Sequence, residues 1–193
     1  MSGRQRRPAH RDGQRAPPPQ QLWGWHRLTD NWADRIVDAA AVQPGELVLD
    51  IGAGDGALTT HLLAAGAHVI AVELHPGRRQ LLRRRFADQP VTVVAADAAR
   101  LRLPRRPFRV VANPPYAVSS ALLRQLLSPS SQLHSADLVL QRWVVRRFVD
   151  GRAPGANRWM RDFELRRGLS VPRSAFCPPP RLDSAVLVIR RRS

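Results

Sequence analysis

Short apolar runs alternate along the chain with segments of helical spacing, and this alternation predicts the secondary structure. Runs rich in Val, Ile and Leu are typical of buried strands, whereas apolar residues three and four positions apart are typical of amphipathic helices. The predicted strands cover residues 47–51, 68–73, 91–95, 108–112, 136–141 and 184–190, and the predicted helices cover residues 31–41, 57–63, 76–86, 119–127 and 142–148. Strands that alternate with helices form an α/β fold with a mostly parallel, doubly wound sheet.

The first residues of the chain differ from the rest in composition. Residues 1–21 carry five arginines, several prolines and almost no apolar side chains, which predicts a disordered basic arm ahead of one folded domain over residues 22–193. Basic arms commonly bind nucleic acid by releasing counterions from the phosphate backbone, so the arm is a candidate RNA contact. The alternative is a solvated tail without a binding role.

The whole chain is strongly basic. It contains 31 arginines, no lysine and 15 acidic residues, which gives a formal net charge of +16 at pH 7. Such a charge favours a polyanionic partner, because guanidinium groups bind phosphates bidentately and stack on bases. An anionic membrane surface is the rival partner, but the sequence shows no basic amphipathic helix with an aromatic face.

The remaining composition narrows the class of protein further. Cys177 is the only cysteine, which excludes an internal disulfide and a multi-cysteine zinc site, and the six histidines lack the spacing of metal ligands. No apolar run approaches the length of a membrane span, and no apolar core follows the first arginines as in a secretory signal. The expectation is a cytoplasmic protein, monomeric, without a metal ion or membrane attachment.

A glycine-rich loop follows the first predicted strand. Residues 52–56 read Gly-Ala-Gly-Asp-Gly and lead into a predicted helix, so the backbone can approach a bound nucleotide closely. Glu73 ends the second strand about twenty residues later, where a carboxylate can accept hydrogen bonds from both hydroxyls of a ribose. Taken alone, the loop is compatible with NAD as well as with S-adenosylmethionine. The alternative for Glu73 is an exposed glutamate at the end of a strand.

The stretch Asn113-Pro114-Pro115-Tyr116 follows the strand predicted over residues 108–112. The prolines remove two backbone donors and form a rigid, extended turn, so the turn presents hydrogen-bond acceptors. An Asn side-chain oxygen beside a proline carbonyl can accept both hydrogens of an exocyclic amine, and Tyr116 offers a flat face for a planar ring. Two such acceptors would localise the nitrogen lone pair by preorganised electrostatics, without a catalytic base. A plain proline-rich surface turn is the alternative.

Two aromatic-rich segments are further candidates. Trp23 and Trp25 lie in a stretch without periodicity and could contact a cofactor or a base, whereas Trp32 has the position of a core residue in the first helix. Residues 142–173 contain nine arginines and three acidic residues. The aromatic residues interleaved with them are Trp143, Phe148, Trp159 and Phe163. This mixture suits base stacking and phosphate contact, or else the aromatics belong to the core beneath a solvated basic face.

These motifs, in this order, resemble those of the rRNA adenine N6-methyltransferases, and within that group the erythromycin-resistance (Erm) methyltransferases. The resemblance covers about residues 22–190 and is carried by residues 50–56, Glu73, Asp97, and residues 113–116 and 176–186. It implies an α/β, Rossmann-like class I S-adenosylmethionine-dependent methyltransferase fold. The catalytic domain would be a single domain with a mostly parallel seven-stranded sheet over residues 22–193.

The resemblance also implies a reaction and a set of site residues. The reaction is methyl transfer from S-adenosylmethionine to one adenine of 23S rRNA in the macrolide-binding region, with resistance to macrolides, lincosamides and type B streptogramins. The positions that match cofactor contacts of the family are His26, Leu28, Gly52, Gly54, Glu73, Asp97 and Asn113. Asn113, Pro114 and Tyr116 match the residues that hold the target base. Without the resemblance, Asp97 would be interpreted as a surface aspartate.

Two features depart from the usual pattern of the family. Residues 25–28 read Trp-His-Arg-Leu where the family usually has Gln-Asn-Phe-Leu, so a cofactor contact at His26 would come from its backbone. Only residues 191–193 follow the closing strand, where the family usually has a small helical domain. We therefore expect the catalytic domain, its basic arm and the arginine-rich segment to bind the RNA.

Other proteins share parts of this pattern. The 16S rRNA dimethyladenosine transferases have nearly all of the motifs, and some DNA adenine and protein glutamine methyltransferases have the Asn-Pro-Pro-Tyr turn. The pattern Phe-x-Pro-Pro-Pro-x-x-Asp-Ser-Ala-Val over residues 176–186 favours an rRNA substrate. A non-catalytic RNA-binding or ribosome-assembly factor on the same scaffold is the alternative of a different class. The intact Gly52, Gly54, Glu73 and Asn113 argue against it.

Overall fold

A twisted sheet forms the centre of the molecule in the computed structural model, which describes residues 26–192. The strands are β1 (Arg27–Leu28), β2 (Leu47–Ile51), β3 (His68–Val72), β4 (Val91–Val94), β5 (Phe108–Ala112), β6 (Leu133–Gln141), β7 (Phe163–Val171), β8 (Phe176–Cys177) and β9 (Ser184–Arg191). Seven of them form the main sheet in the order β4-β3-β2-β5-β6-β9-β7. In this sheet β9 runs antiparallel to both of its neighbours, β6 and β7, and all the other adjacent pairs are parallel. The predicted Rossmann-like α/β fold is thereby confirmed.

Helices connect the strands and cover both faces of the sheet. They are α1 (Asp30–Ala40), α2 (Ala57–Ala64), α3 (Pro76–Arg85), α4 (Ser119–Leu126), α5 (Arg142–Val149) and α6 (Ala156–Asp162). Five of the six lie within two residues of the predicted helix bounds, and α1, α4 and α5 have the clearest helical periodicity of apolar positions. Within residues 26–192, every helix is too short or too polar to cross a membrane.

Side chains along the central strands alternate between two hydrophobic cores. In β6, Leu138 and Leu140 pack into the core that contains α4 and α5, whereas Val139 packs into the core that contains α1 and α2. In β9, likewise, Leu187 packs into the first of these cores and Val188 into the second. Because both faces of the sheet are covered, its strands appear in the sequence as continuous apolar runs.

The apolar pattern did not predict the short strands β1 and β8, the helix α6 or the strand β7. The strand β7 is at the edge of the sheet, and of its nine residues only Phe163 and Val171, at its two ends, are buried. Exposed Arg166 and Arg167 interrupt the alternation that would have indicated a strand. Edge position therefore explains why this strand was missed.

The aromatic residues of the arginine-rich segment divide between the core and the surface. Phe148, Trp159 and Phe163 are 6%, 9% and 1% exposed, and the Phe148 and Trp159 rings stack with their centroids 5.5 Å apart. Trp143 is 54% exposed. Of the two alternatives for this segment, the core interpretation is correct for these three residues, which lie in α5, α6 and β7, and Trp143 remains a candidate for stacking.

The start of the described chain is attached to its end by a small antiparallel pair. Arg27 and Leu28 of β1 pair with Cys177 and Phe176 of β8, and this pairing holds His26 near the carboxyl edge of the main sheet. Half-buried Trp32 packs against the core as predicted, with the Arg35 guanidinium 4.2 Å from its ring centroid. The basic arm, Trp23 and Trp25 lie outside the described residues.

Candidate active site

A cavity of about 320 Å³ opens at the carboxyl edge of the sheet. Its wall includes residues from the ends of four adjacent parallel strands, namely Gly52 after β2, Glu73 after β3, Asp97 beyond β4 and Asn113 after β5. In open α/β sheets ligands bind at this edge. Gly52 and Asn113, which are 61 positions apart in the sequence, thus line the same site.

The structure brings together most of the residues predicted for the site. His26, Pro114 and Tyr116 also line the cavity. Two residues predicted as cofactor contacts, Leu28 and Gly54, do not line it. Leu28 is 1% exposed in the core, beside a separate space of about 20 Å³, and Gly54 lies behind Glu73.

The carboxylate of Glu73 is buried and held by two backbone amides. Oε2 accepts a hydrogen bond of 2.9 Å from the Gly54 N–H, and Oε1 accepts one of 2.7 Å from the His75 N–H. A carboxylate oxygen can accept more than one hydrogen bond, so each retains capacity for a ligand hydroxyl. Gly54 therefore orients Glu73 instead of lining the cavity. The interpretation of Glu73 as an exposed strand-end residue is wrong, because its exposure is only 6%.

Asp97 combines a local structural contact with a position in the cavity wall. Its Oδ1 accepts a hydrogen bond of 2.8 Å from the Ala99 N–H and so caps the short 3₁₀ helix at Ala98–Arg100. The other carboxylate oxygen has no donor among residues 26–192. One oxygen orders the loop, and the second is available to a ligand.

The Asn113 amide has a defined orientation. Its Nδ2 donates a hydrogen bond of 2.8 Å to the His26 carbonyl, which leaves Oδ1 as an acceptor. Within residues 26–192 the neighbouring Pro114 carbonyl has no hydrogen-bond donor either. The two acceptors expected from the sequence are therefore both available at the cavity wall.

The Tyr116 ring is held from two sides. Its hydroxyl forms a hydrogen bond of 2.7 Å with Ser184 Oγ, and the His26 ring lies nearly parallel to it, with centroids 5.9 Å apart. Burial raises the pKa of the Tyr116 hydroxyl above its ordinary value of 10.0, against the opposing effect of the Ser184 hydrogen bond. The hydroxyl therefore stays neutral at physiological pH and serves as a hydrogen-bonding anchor for the ring.

His26 contributes its side chain as well as its backbone. The imidazole Nδ1 lies 2.9 Å from the Pro178 carbonyl, and the ring also has an edge contact with Phe176. These contacts lie within the protein, and the cofactor contact expected from the His26 backbone stays a prediction. The side-chain contacts arise because β1 and β8 are neighbours, which the sequence does not reveal.

Gly52 packs directly under the Asn-Pro-Pro-Tyr turn at residues 113–116. It has φ +80°, and a Cβ atom there would lie 3.0 Å from Pro115 Cδ and 3.4 Å from Pro114 Cα. A side chain at this position would therefore strain the backbone and push against the turn.

We expect Gly52→Ala to lower the methyl-transfer activity that the family resemblance implies by at least about tenfold, because both the loop and the turn must shift. Gly45→Ala is the matched control, since Gly45 has φ +81° but no atom within 4 Å of its Cβ position. Each substitution should lower the free energy of unfolding by about 1–2 kcal/mol from backbone strain. Equal activity of the two variants would contradict the packing role.

Asp50, at the end of β2, is a buried carboxylic acid whose role the sequence did not predict. It is 1% exposed, its Oδ2 accepts a hydrogen bond of 2.7 Å from the Thr59 hydroxyl, and its Oδ1 has no partner among the described residues. Burial raises the pKa of Asp50 from 3.8 to about 7, although the Thr59 hydrogen bond opposes this shift. The folded protein therefore keeps a proton that the unfolded chain loses.

This raised pKa predicts how stability depends on pH. Between pH 3.8 and about 7 the folded state binds more protons than the unfolded state at Asp50, so this group lowers stability as pH rises. We expect the gain in free energy of unfolding from Asp50→Asn, relative to the parent protein, to be about 3 kcal/mol larger at pH 8 than at pH 5, because about two pH units of this window lie above pH 5. Urea unfolding at both pH values measures the difference, with exposed Asp88→Asn as control. A pH-independent effect of Asp50→Asn would contradict the assignment.

Ser184 is a second contributor that was not singled out. It is fully buried and bonded to Tyr116, yet it lies 68 residues away. Ser184 belongs to the sequence pattern at residues 176–186, which marks it as a residue of interest. That pattern does not indicate which group bonds to the Ser184 hydroxyl.

Comparisons with known proteins agree on a family. The model of the family described as Ribosomal RNA adenine dimethylase matches residues 24–193. Ribosomal RNA small subunit methyltransferase A of Synechococcus sp. (strain JA-3-3Ab) is 38% identical over 195 residues, which cover 91% of this chain and 68% of that protein. Mycinamicin-resistance protein MyrB of Micromonospora griseorubida is 36% identical over 178 residues, which cover 88% of this chain and 57% of MyrB.

A solved structure shows the same architecture. The crystal structure of 23S rRNA methyltransferase ErmE superposes with a TM-score of 0.78 at 30% sequence identity, over 86% of this chain and 70% of ErmE. The chain thus spans between about half and 70% of the length of these relatives.

Proposed function

Because the chain belongs to the ribosomal RNA adenine dimethylase family, we propose that it transfers a methyl group from S-adenosylmethionine to the exocyclic N6 of an rRNA adenine. The observation that carries this proposal is the locked Asn113 amide. Its Nδ2 is committed to the His26 carbonyl, so Oδ1 and the adjacent Pro114 carbonyl form a pair of acceptors. Such a pair is suited to an –NH₂ group.

The residues around the cavity fit S-adenosylmethionine. The cavity volume of about 320 Å³ lies in the usual range for small-molecule sites. Glu73 would accept hydrogen bonds from the ribose hydroxyls, and the free oxygen of Asp97 would accept one from the cofactor adenine. When bound, this cofactor supplies an electrophilic methyl group on a positively charged sulfur.

The protein's own residues would activate the adenine amine. The target adenine must leave its base stack to reach the site, and the Tyr116 ring offers it a stacking surface. Asn113 Oδ1 and the Pro114 carbonyl then accept the two amine hydrogens, which localises the nitrogen lone pair. The methylated amine is positively charged and acidic, so it can release its proton to solvent without a catalytic base in the turn.

We propose the macrolide-site adenine of 23S rRNA as the target, with resistance to macrolides, lincosamides and type B streptogramins as the consequence. The similarity to ErmE and to the mycinamicin-resistance protein supports this choice. The net charge of +16 supports an RNA substrate in general.

The second candidate is methylation of 16S rRNA. The 38% identity to a small subunit methyltransferase favours it, and the site residues are compatible with either RNA. Both candidates use the same adenine chemistry. They differ in the RNA surface that must fit around the cleft.

Transfer of labelled methyl groups to protein-free 23S and 16S rRNA tests the proposal. We expect label on 23S rRNA and a primer-extension stop at the macrolide-site adenine. Label confined to 16S rRNA would replace the first target with the second. Binding of S-adenosylmethionine without label on either RNA would contradict both.

A further inference from the structure

Trp143 is an exposed aromatic residue in a strongly basic part of the surface. It lies in the first turn of α5 and is 54% exposed, whereas the other aromatics of the same segment are buried. A single exposed apolar side chain is not by itself informative. The surroundings of Trp143, its fixed orientation and its connection to the catalytic turn supply the argument.

The indole ring is held in one orientation. Its Nε1–H donates a hydrogen bond of 3.0 Å to Gln141 Oε1, at the carboxyl end of β6. Fixing a ring before binding lowers the entropy cost of contact with a ligand. The exposed ring is thus a flat surface that is already oriented before a ligand binds.

Arginines surround this ring. A groove of about 210 Å³ between α4 and α5 is lined by Trp143, Arg124 and Arg147 among others. A second of about 390 Å³ is lined by Trp143, Arg146, Arg147, Arg152 and Asp150, and the Asp150 carboxylate pairs with Arg146 at 3.5 Å. Among residues 26–192, no acidic side chain forms an ion pair with Arg124, Arg147 or Arg152. Their charges are therefore available to an anionic partner.

The ring is connected to the catalytic turn by a short series of contacts. Trp143 bonds to Gln141, which is paired with Ser184 in the sheet, and Ser184 bonds to the Tyr116 hydroxyl. Ser120, four residues after Tyr116, lines the same groove as Trp143. A strand whose target base reached Tyr116 would have its neighbouring nucleotides close to this groove.

We propose that Trp143 stacks on an unpaired base that flanks the target adenine, while Arg147, Arg124 and Arg152 bind the adjacent phosphates. This assignment rests on the proposed function and names the part of the surface that positions the RNA. An aromatic ring among unpaired arginines is the usual composition of a single-stranded RNA site.

The test compares Trp143→Ala, Trp143→Phe and Arg147→Ala in the full chain. The probe is a labelled 23S rRNA hairpin that carries the macrolide-site adenine, with a 16S rRNA fragment in parallel. Arg83→Ala is the charge-matched control, because Arg83 is exposed on α3 near the opposite end of the sheet. Dissociation constants are measured at several salt concentrations, and S-adenosylmethionine affinity is measured for each variant.

We expect Trp143→Ala to weaken RNA binding about 10- to 100-fold without changing its salt dependence, because stacking involves no charge. Trp143→Phe should stay within a few fold of the parent protein. Arg147→Ala should weaken binding and reduce the salt slope by about one, unlike Arg83→Ala. Affinity for S-adenosylmethionine should not change in any variant, which also verifies folding.

Two outcomes would overturn the inference. If the parent protein binds and methylates the hairpin but Trp143→Ala does so equally well, the stacking site is refuted and the proposed function stands. If the parent protein binds S-adenosylmethionine but neither RNA, the proposed function and the stacking site both fail.

Discussion

Replacing Asn113 with alanine should lower kcat for adenine methylation by about 10²- to 10³-fold, which is the usual cost of removing a group that stabilises developing charge. Asn113 Oδ1 is one of two acceptors at the turn, and its Nδ2 also holds the His26 carbonyl. Alanine removes both contacts. Single-turnover methylation of 23S rRNA measures the effect on the chemical step.

Two further variants separate the roles of the Asn113 amide. Asn113→Asp keeps an acceptor but cannot donate to the His26 carbonyl, so we expect it to lose activity although the side chains are similar in size. Asn157→Ala, at an exposed position in α6, is the control for loss of an amide. Full activity of Asn113→Ala would refute acceptor catalysis by the turn.

Replacing Tyr116 with alanine should reduce methylation of rRNA by about 10- to 100-fold, whereas phenylalanine should cost only a few fold. Alanine removes the stacking surface, which is worth about 1–3 kcal/mol per base. Phenylalanine keeps the ring and loses only the hydrogen bond to Ser184, worth about 1 kcal/mol. Methylation rates of the two variants, measured at RNA concentrations below saturation, separate the contribution of the ring from that of the hydroxyl.

The Ser184 contact provides an internal check on this interpretation. Tyr116→Phe and Ser184→Ala each leave a polar partner unpaired, whereas the double variant leaves none. We therefore expect the double variant to be more active than the sum of the single effects predicts. Equal losses in Tyr116→Ala and Tyr116→Phe would show that the hydroxyl, and not the ring, is required.

Local sequence patterns predicted much of the fold and part of the site. The strands β2 and β5 have the predicted bounds, and helices α4 and α5 differ from the predicted ones by one residue at their ends. Buried strands and amphipathic helices leave a periodic signal within about ten residues, which a single sequence contains. The edge strand β7 leaves no such signal, because burial at only two positions does not impose a period.

The sequence by itself determined the parallel sheet, the glycine loop and the acceptor turn at residues 113–116, because each depends on the chemistry of neighbouring residues. Only the tertiary structure decided which groups meet across the chain. It paired the Asn113 amide with the His26 carbonyl, bonded Tyr116 to Ser184, and left Trp143 exposed while Trp159 was buried. These outcomes depend on strand order and on packing between distant elements, and no local pattern encodes such contacts.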